Sequence, residues 1–129
     1  MSELDIVSEF VTESSENLDR FDRNLVELQK HLADSEMLAD TFRTIHTIKG
    51  TSGFLGFAKL EAVALAGESL LGGVRDGQTR LNPEITAALL VMVDALRQML
   101  GTIAANGADG NNDYRELIGR LRNLLAPHS

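Results

Sequence analysis

The chain has 129 residues, enough for one domain with a core of its own. Its 43% hydrophobic and 24% charged residues exclude a disordered composition, and the absence of cysteine excludes a disulfide framework, a thiolate metal site and a thiol nucleophile. Twelve basic residues against 19 acidic ones give a net charge of −7, which argues against nucleic acid and anionic membranes as partners.

The first segment carries Leu4, Val7, Val11, Ser14, Leu18, Phe21, Leu25, Leu28 and Leu32 at alternating three- and four-residue steps. That spacing predicts one seam of an amphipathic helix of about 28 residues and about 40 Å. The charges between them, from Glu13 to Glu27, read as a solvated face. Ala33-Asp34-Ser35 breaks the pattern. A second helix follows with Leu38, Phe42 and Ile45 in its core, Thr41 and Ile48 beside them, and Lys49-Gly50-Thr51-Ser52-Gly53 at its end. Phe54-Leu55-Gly56-Phe57 reads as the turn into a third helix, whose inner face is Leu60, Val63, Ala64, Gly67, Leu70, Leu71 and Val74. The pair Gly72-Gly73 is expected to weaken the last turns of that helix, and Gly77 to close it in a left-handed cap.

Asn82-Pro83-Glu84 announces a fourth helix: a capping side chain, a proline at the first helical position and an acid at the positive dipole end. It buries Ile85, Leu89, Met92, Leu96, Met99 and Ile103. Residues 106–112 read as a flexible loop by composition. Asp113 with Glu116 fits a capping box for a shorter fifth helix using Leu117, Leu121, Leu124 and Leu125, and Pro127 marks its end. Period-two alternation is absent, so no strand is expected. The expected fold is all-α: an up-down antiparallel four-helix bundle, capped or flanked by a fifth, shorter C-terminal helix. One domain covers residues 1–125, with 126–129 a tail or the start of a linker. The longest apolar run, Ala87 to Val93, is too short to cross a bilayer. Met1-Ser2-Glu3-Leu4-Asp5 lacks the features of a signal peptide, and the default address is cytoplasmic.

One segment exceeds what a bundle needs: Phe42-Arg43-Thr44-Ile45-His46-Thr47-Ile48-Lys49-Gly50-Thr51-Ser52-Gly53. A glycine inside a helix costs about 1 kcal/mol against alanine, so Gly50 calls for a packing or access reason. Lys49 and Gly50 fall on the same side as His46, and Gly53 lies two turns on. The two glycines strip bulk from the surface beside the imidazole. His46 sits just past the core seam, at the edge of the apolar stripe. In an antiparallel hairpin centred on residue 57, Glu68 of the third helix is level with His46. A carboxylate accepting from one ring nitrogen would leave the other as a nucleophile. Taken singly, each has a plainer reading: a satisfied histidine at a core boundary, and a solvated surface acid.

The run from His46 to Phe57 resembles the signature of the histidine-phosphotransfer (HPt) family, in the version found at the amino terminus of CheA-type chemotaxis kinases. Glu68, Arg75 with Gly77, and the five-helix pattern match as well, so the resemblance covers almost the whole chain. It implies that His46 is the phosphoacceptor, carried as phosphohistidine, that Glu68 orients the imidazole, and that Lys49 assists the phosphoryl group. It further implies a phosphoryl group that comes from ATP through a separate kinase domain and passes to an aspartate on the receiver domain of a response regulator. Many members carry a second histidine three residues before the glutamate. Here Leu65 holds that position, and Gly67 and Gly72 replace larger or polar residues, which implies a smaller hydrogen-bond network at the site.

His31 reads as a surface residue complementing the first helix's dipole, and His128 lies in the tail. Arg43 occupies the position three before His46, so no Glu-x-x-His pair supports a di-iron site, and no metal is expected. No glycine-rich phosphate loop follows a strand, so the domain is expected to hold no cofactor and to leave ATP to the kinase domain. A free-standing phosphorelay carrier, a non-catalytic helical adaptor and a metal-binding bundle remain alternatives at this point.

Overall fold

A computed structural model of the chain describes residues 2–31 and 34–125. Met1, Leu32, Ala33, residues 126–129 and the side chains of Glu3 and Leu4 fall outside the described part, and with them the expectations for Leu4, Leu32, Pro127 and His128. Five helices follow in order: α1 (Glu3–Lys30), α2 (Ser35–Phe54), α3 (Ala58–Arg75), α4 (Pro83–Asn106) and α5 (Arg115–Leu125). α1 packs against α2 and α4, and α3 packs against the same two. Among the described residues no Cα of α1 comes within 8 Å of one in α3, nor of α2 within 8 Å of one in α4, which is the cross-section of a four-helix bundle. α5 lies against α3 and α4.

The seams are where hydrophobic spacing places them. Ser14, Leu18, Phe21, Leu25 and Leu28 of α1 are buried, as is every expected inner-face residue of α3 and α4. Phe10 joins them from outside the predicted seam, because the Phe57 ring of the α2–α3 turn stacks on it at 5.6 Å. By length and composition α4 could cross a membrane, although its uninterrupted apolar run is short; in the bundle its apolar side faces the core.

Asp34 caps α2 by accepting from the Met37 N–H, and Asn82 caps α4 by accepting from the Ile85 N–H, with Pro83 following as predicted. Gly77 adopts a left-handed φ of 81° just beyond α3. The glycine pair near that end leaves α3 unbroken. A Cβ on Gly73 would fall 2.3 Å from a Leu125 methyl, and one on Gly72 would touch the Phe42 ring at 3.5 Å. Close packing against α5 and α2 holds these turns.

Two expectations near the C-terminus are corrected. The loop after α4 is anchored. Phe57 provides no side-chain cap for α3; instead the Asp109 carboxylate accepts from the Lys59 and Leu60 N–H groups at 2.9 and 3.2 Å. The Lys59 ammonium donates to the Gly110 carbonyl at 2.7 Å. The capping box at Asp113 and Glu116 does not form either. Tyr114 takes a left-handed φ of 53°, and its hydroxyl bonds Gln98 on α4 at 3.1 Å. That turn delays the helix to Arg115, whose N–H donates to Asp113.

Candidate functional site

α2 is unusually rich in hydroxyls, and five of its six return to its own helix. Thr41, Thr44, Thr47, Thr51 and Ser52 donate to the carbonyls of Met37, Asp40, Arg43, Thr47 and Ile48. The buried ones, Thr41, Thr44 and Ser52, are thereby satisfied without partners from other helices. α2 stays continuous through Gly50 to Phe54 and carries His46 on its rim, with the imidazole 58% exposed.

The register of the α2–α3 hairpin follows the expectation. His46 with Glu68, Gly53 with Glu61 and Phe42 with Gly72 are pairs equidistant from Phe57, and each pair faces across the hairpin. His46 Nδ1 lies 2.6 Å from Glu68 Oε2. The other carboxylate oxygen, Oε1, accepts from the Lys49 ammonium at 2.9 Å. The Glu68 side chain is only 11% exposed, so the plainer reading of a solvated acid fails. Burial alone would raise its pKa, but the hydrogen bonds from Lys49 and His46 outweigh that and hold the carboxyl below its ordinary value. An ionised carboxylate only accepts, so the bond places a proton on Nδ1, and in the neutral ring the lone pair is then on Nε2.

Gly50 and Gly53 part company. A Cβ on Gly50 would meet nothing within 4 Å, and the surface there is open. At Gly53 the Glu61 carboxylate occupies the place of a side chain, so this glycine makes room for α3 rather than for a partner at the imidazole. Lys49, expected to await a phosphoryl group, is engaged with Glu68, and its side chain is 23% exposed. Gly67 has a packing role: a Cβ there would overlap the Met92 sulfur of α4. Leu65 is 42% exposed on the surface of α3.

Sequence reasoning assigned Phe42 to the core. It is half-buried at the site instead. Its ring lies nearly parallel to the imidazole, with an interplanar angle of 14° and centroids 6.0 Å apart. The Arg75 guanidinium stands over the Phe42 ring at 4.1 Å and is also paired with Asp76. The signal was present: an aromatic four residues before the histidine shares its helix face. A metal would need several acids converging on His46. Glu68 alone bonds it, and no group of three metal-ligating side chains forms among the described residues. His31 ends α1 as its exposed C-cap residue.

The Hpt domain family matches residues 5–103. The chain belongs to the Hpt family. Chemotaxis kinases are among its relatives. It is 34% identical over 126 residues to the sensor histidine kinase CheAY of Helicobacter pylori, covering 95% of this chain and 16% of that protein. It is 30% identical over 112 residues to the chemotaxis protein CheA of Bacillus subtilis, covering 87% of this chain and 16% of that one. The chain thus spans about a sixth of the length of these two curated relatives. Among solved structures, the phosphorylated P1 domain of CheA3 in complex with CheY6 from R. sphaeroides superposes with a TM-score of 0.86 at 32% identity, covering 95% of this chain and 96% of that one. The Hpt domain described here is thus homologous to CheA phosphotransfer domains across the whole bundle.

Proposed function

We propose that His46 is the phosphoacceptor of this Hpt domain, that Glu68 orients it and that Lys49 offsets phosphoryl charge. The observation that carries this reading is the 2.6 Å contact between Nδ1 of a largely exposed His46 imidazole and the buried Glu68 carboxylate. The Nε2 lone pair forms the N–P bond as the bond from the γ-phosphorus of ATP to its bridging oxygen breaks, and the electrons leave on ADP. While Nδ1 keeps its proton the ring becomes an imidazolium, whose charge Glu68 offsets. Onward transfer forms a P–O bond to a receiver aspartate and returns the N–P electrons to Nε2. The domain itself uses no cofactor; a separate ATP-binding kinase domain of a CheA-like protein supplies the phosphoryl group. The partners are that kinase domain and response-regulator receivers in the cytoplasm, with no nucleic acid or membrane. The phosphorylated CheA3 domain bound to CheY6 is a relative in such a state. A free-standing carrier would have the same site; the length of the relatives favours a multidomain kinase.

The test is incubation with the cognate kinase domain and γ-labelled ATP. The label is expected on His46, acid-labile and base-stable as a phosphoramidate is. A base-labile bond, or label retained by His46→Gln, overturns the assignment.

A further inference from the structure

The Glu68 hydrogen bond fixes one point of an imidazole that is otherwise 58% exposed. A ring held at one nitrogen can still swing about that contact, carrying Nε2 away from the line of attack. A second constraint, on the plane of the ring, is needed to hold a nucleophile in line.

The structure supplies a flat surface of that kind. The Phe42 ring lies 14° from parallel with the imidazole, 6.0 Å between centroids. Phe42 is itself held from two directions. Its edge faces Gly72 of α3, where an added Cβ would meet the ring in ordinary van der Waals contact at 3.5 Å. The Arg75 guanidinium covers the ring at 4.1 Å, and Asp76 tethers that guanidinium through Nε at 3.0 Å. A cation over a ring face is attracted by the ring quadrupole, so the Arg75–Asp76 pair fixes Phe42 from the end of α3.

We propose that Phe42, clamped by Arg75 over Gly72, is a positioning residue that sets the plane of the His46 imidazole and thereby the direction of Nε2. The division of labour is definite: Glu68 selects the tautomer, and Phe42 selects the plane. This rests on His46 being the phosphoacceptor, but the ring geometry can be measured independently of phosphorylation.

The experiment compares the full chain with Phe42→Leu, Phe42→Tyr and Arg75→Gln. Leucine keeps apolar bulk and loses the flat face; tyrosine keeps both. By NMR, Phe42→Leu is expected to remove the aromatic ring-current shift from the His46 Hδ2 and Hε1 signals and to increase imidazole motion, while the Nδ1–H tautomer persists. With the cognate kinase domain and labelled ATP, Phe42→Leu is expected to lower kcat about tenfold with KM changed by less than about twofold, because misdirecting a held nucleophile acts on the chemical step. Phe42→Tyr is expected to restore the rate, and Arg75→Gln to fall between. His46 ring signals unmoved by Phe42→Leu overturn the proposal, as does Phe42→Tyr being as slow as Phe42→Leu. If Phe42→Leu loses its helical circular dichroism, Arg75→Gln carries the test: wild-type ring signals and rate in that variant also overturn the clamp. Absence of label from wild-type His46 would instead sink the phosphoacceptor reading and leave the ring measurement standing.

Discussion

Among the described residues three ionic bridges join neighbouring helices; Arg20 with Asp40 ties α1 to α2, and the other two are built in opposite senses. Between α1 and α4, a single cation, Arg97, is shared by two carboxylates, Asp19 at 2.8 Å and Asp22 at 3.1 Å. Between α2 and α3, a single carboxylate, Glu68, is shared by two bases, His46 and Lys49. All three members of the Arg97 bridge are at least a third exposed. Water screens them, and the bridge is a rim ornament to packing that Leu18, Leu25, Leu89 and Leu96 already decide. In the Glu68 bridge the shared member is the buried one, and the most exposed member is an imidazole with a free nitrogen. Burial gives the carboxylate directional hold on its partners. Exposure leaves the oriented group able to react. The same bundle geometry thus yields a strut on one side and a site on the other, according to which member of the bridge is buried.

The sharpest way to break this contrast is at the exposed member. His46→Gln is expected to abolish labelling by the kinase domain while helical circular dichroism and the thermal midpoint stay close to wild type, because the residue is on the rim. Next comes the shared acid. Glu68→Gln is expected to slow phosphorylation by about a hundredfold, the scale of misplacing a reactive group, with the final amount of phosphate per chain unchanged. The same substitution changes the acid limb of stability. The Glu68 carboxyl is held below its ordinary value when folded. Its contribution is therefore present above the unfolded value and lost as pH falls through the folded one. The stability difference between wild type and Glu68→Gln is expected to shrink as pH falls below about 4.5, and coincident pH profiles of the thermal midpoint would contradict the bridge.

Smaller effects sharpen the comparison. Lys49→Ala is expected to slow phosphorylation about fivefold at low salt, with the gap closing as ionic strength rises, because its charge acts partly through solvent. A gap that ignores salt would mean that Lys49 acts by geometry alone. The smallest effect belongs to the strut. Arg97→Ala is expected to leave the phosphorylation rate within about twofold of wild type and to cost less than about 1 kcal/mol in urea unfolding. A large rate defect there would show that the two sides of the bundle are coupled.

How far the sequence speaks for this molecule depends on the range of each contact. Amphipathic period, with the start signal at Asn82-Pro83-Glu84, located the helices, and the symmetry of a tight hairpin about Phe57 was enough to bring Glu68 level with His46. Those inferences need only local geometry. Contacts between distant segments were invisible. Phe10 has no reason to be buried until the Phe57 ring arrives from the α2–α3 turn. Asp109 looks like any loop acid, and Tyr114 like an ordinary helix start, until α3 and α4 supply their partners. Phe42 lay between the two cases. Its spacing from His46 was legible, but its placement beside the ring depends on Gly72 and Arg75 of another helix. The direction of Lys49, toward Glu68, likewise required the burial of that carboxylate to be known.

The Asp109 cap ties the beginning of α3 to a loop some fifty residues later, beyond the segment 5–103 that the Hpt family matches. Backbone N–H groups at a free helix end exchange with solvent through fraying, but those of Lys59 and Leu60 are sealed by a carboxylate that arrives only when the chain past α4 has docked. Their hydrogen exchange should therefore report on the closing of the whole fold rather than on the local helix. A fragment cut at residue 103 would keep every side chain of the site, yet start α3 with those two amides unsealed. The part of the chain that lies outside the family's boundary is what finishes the helix on which Glu68 stands.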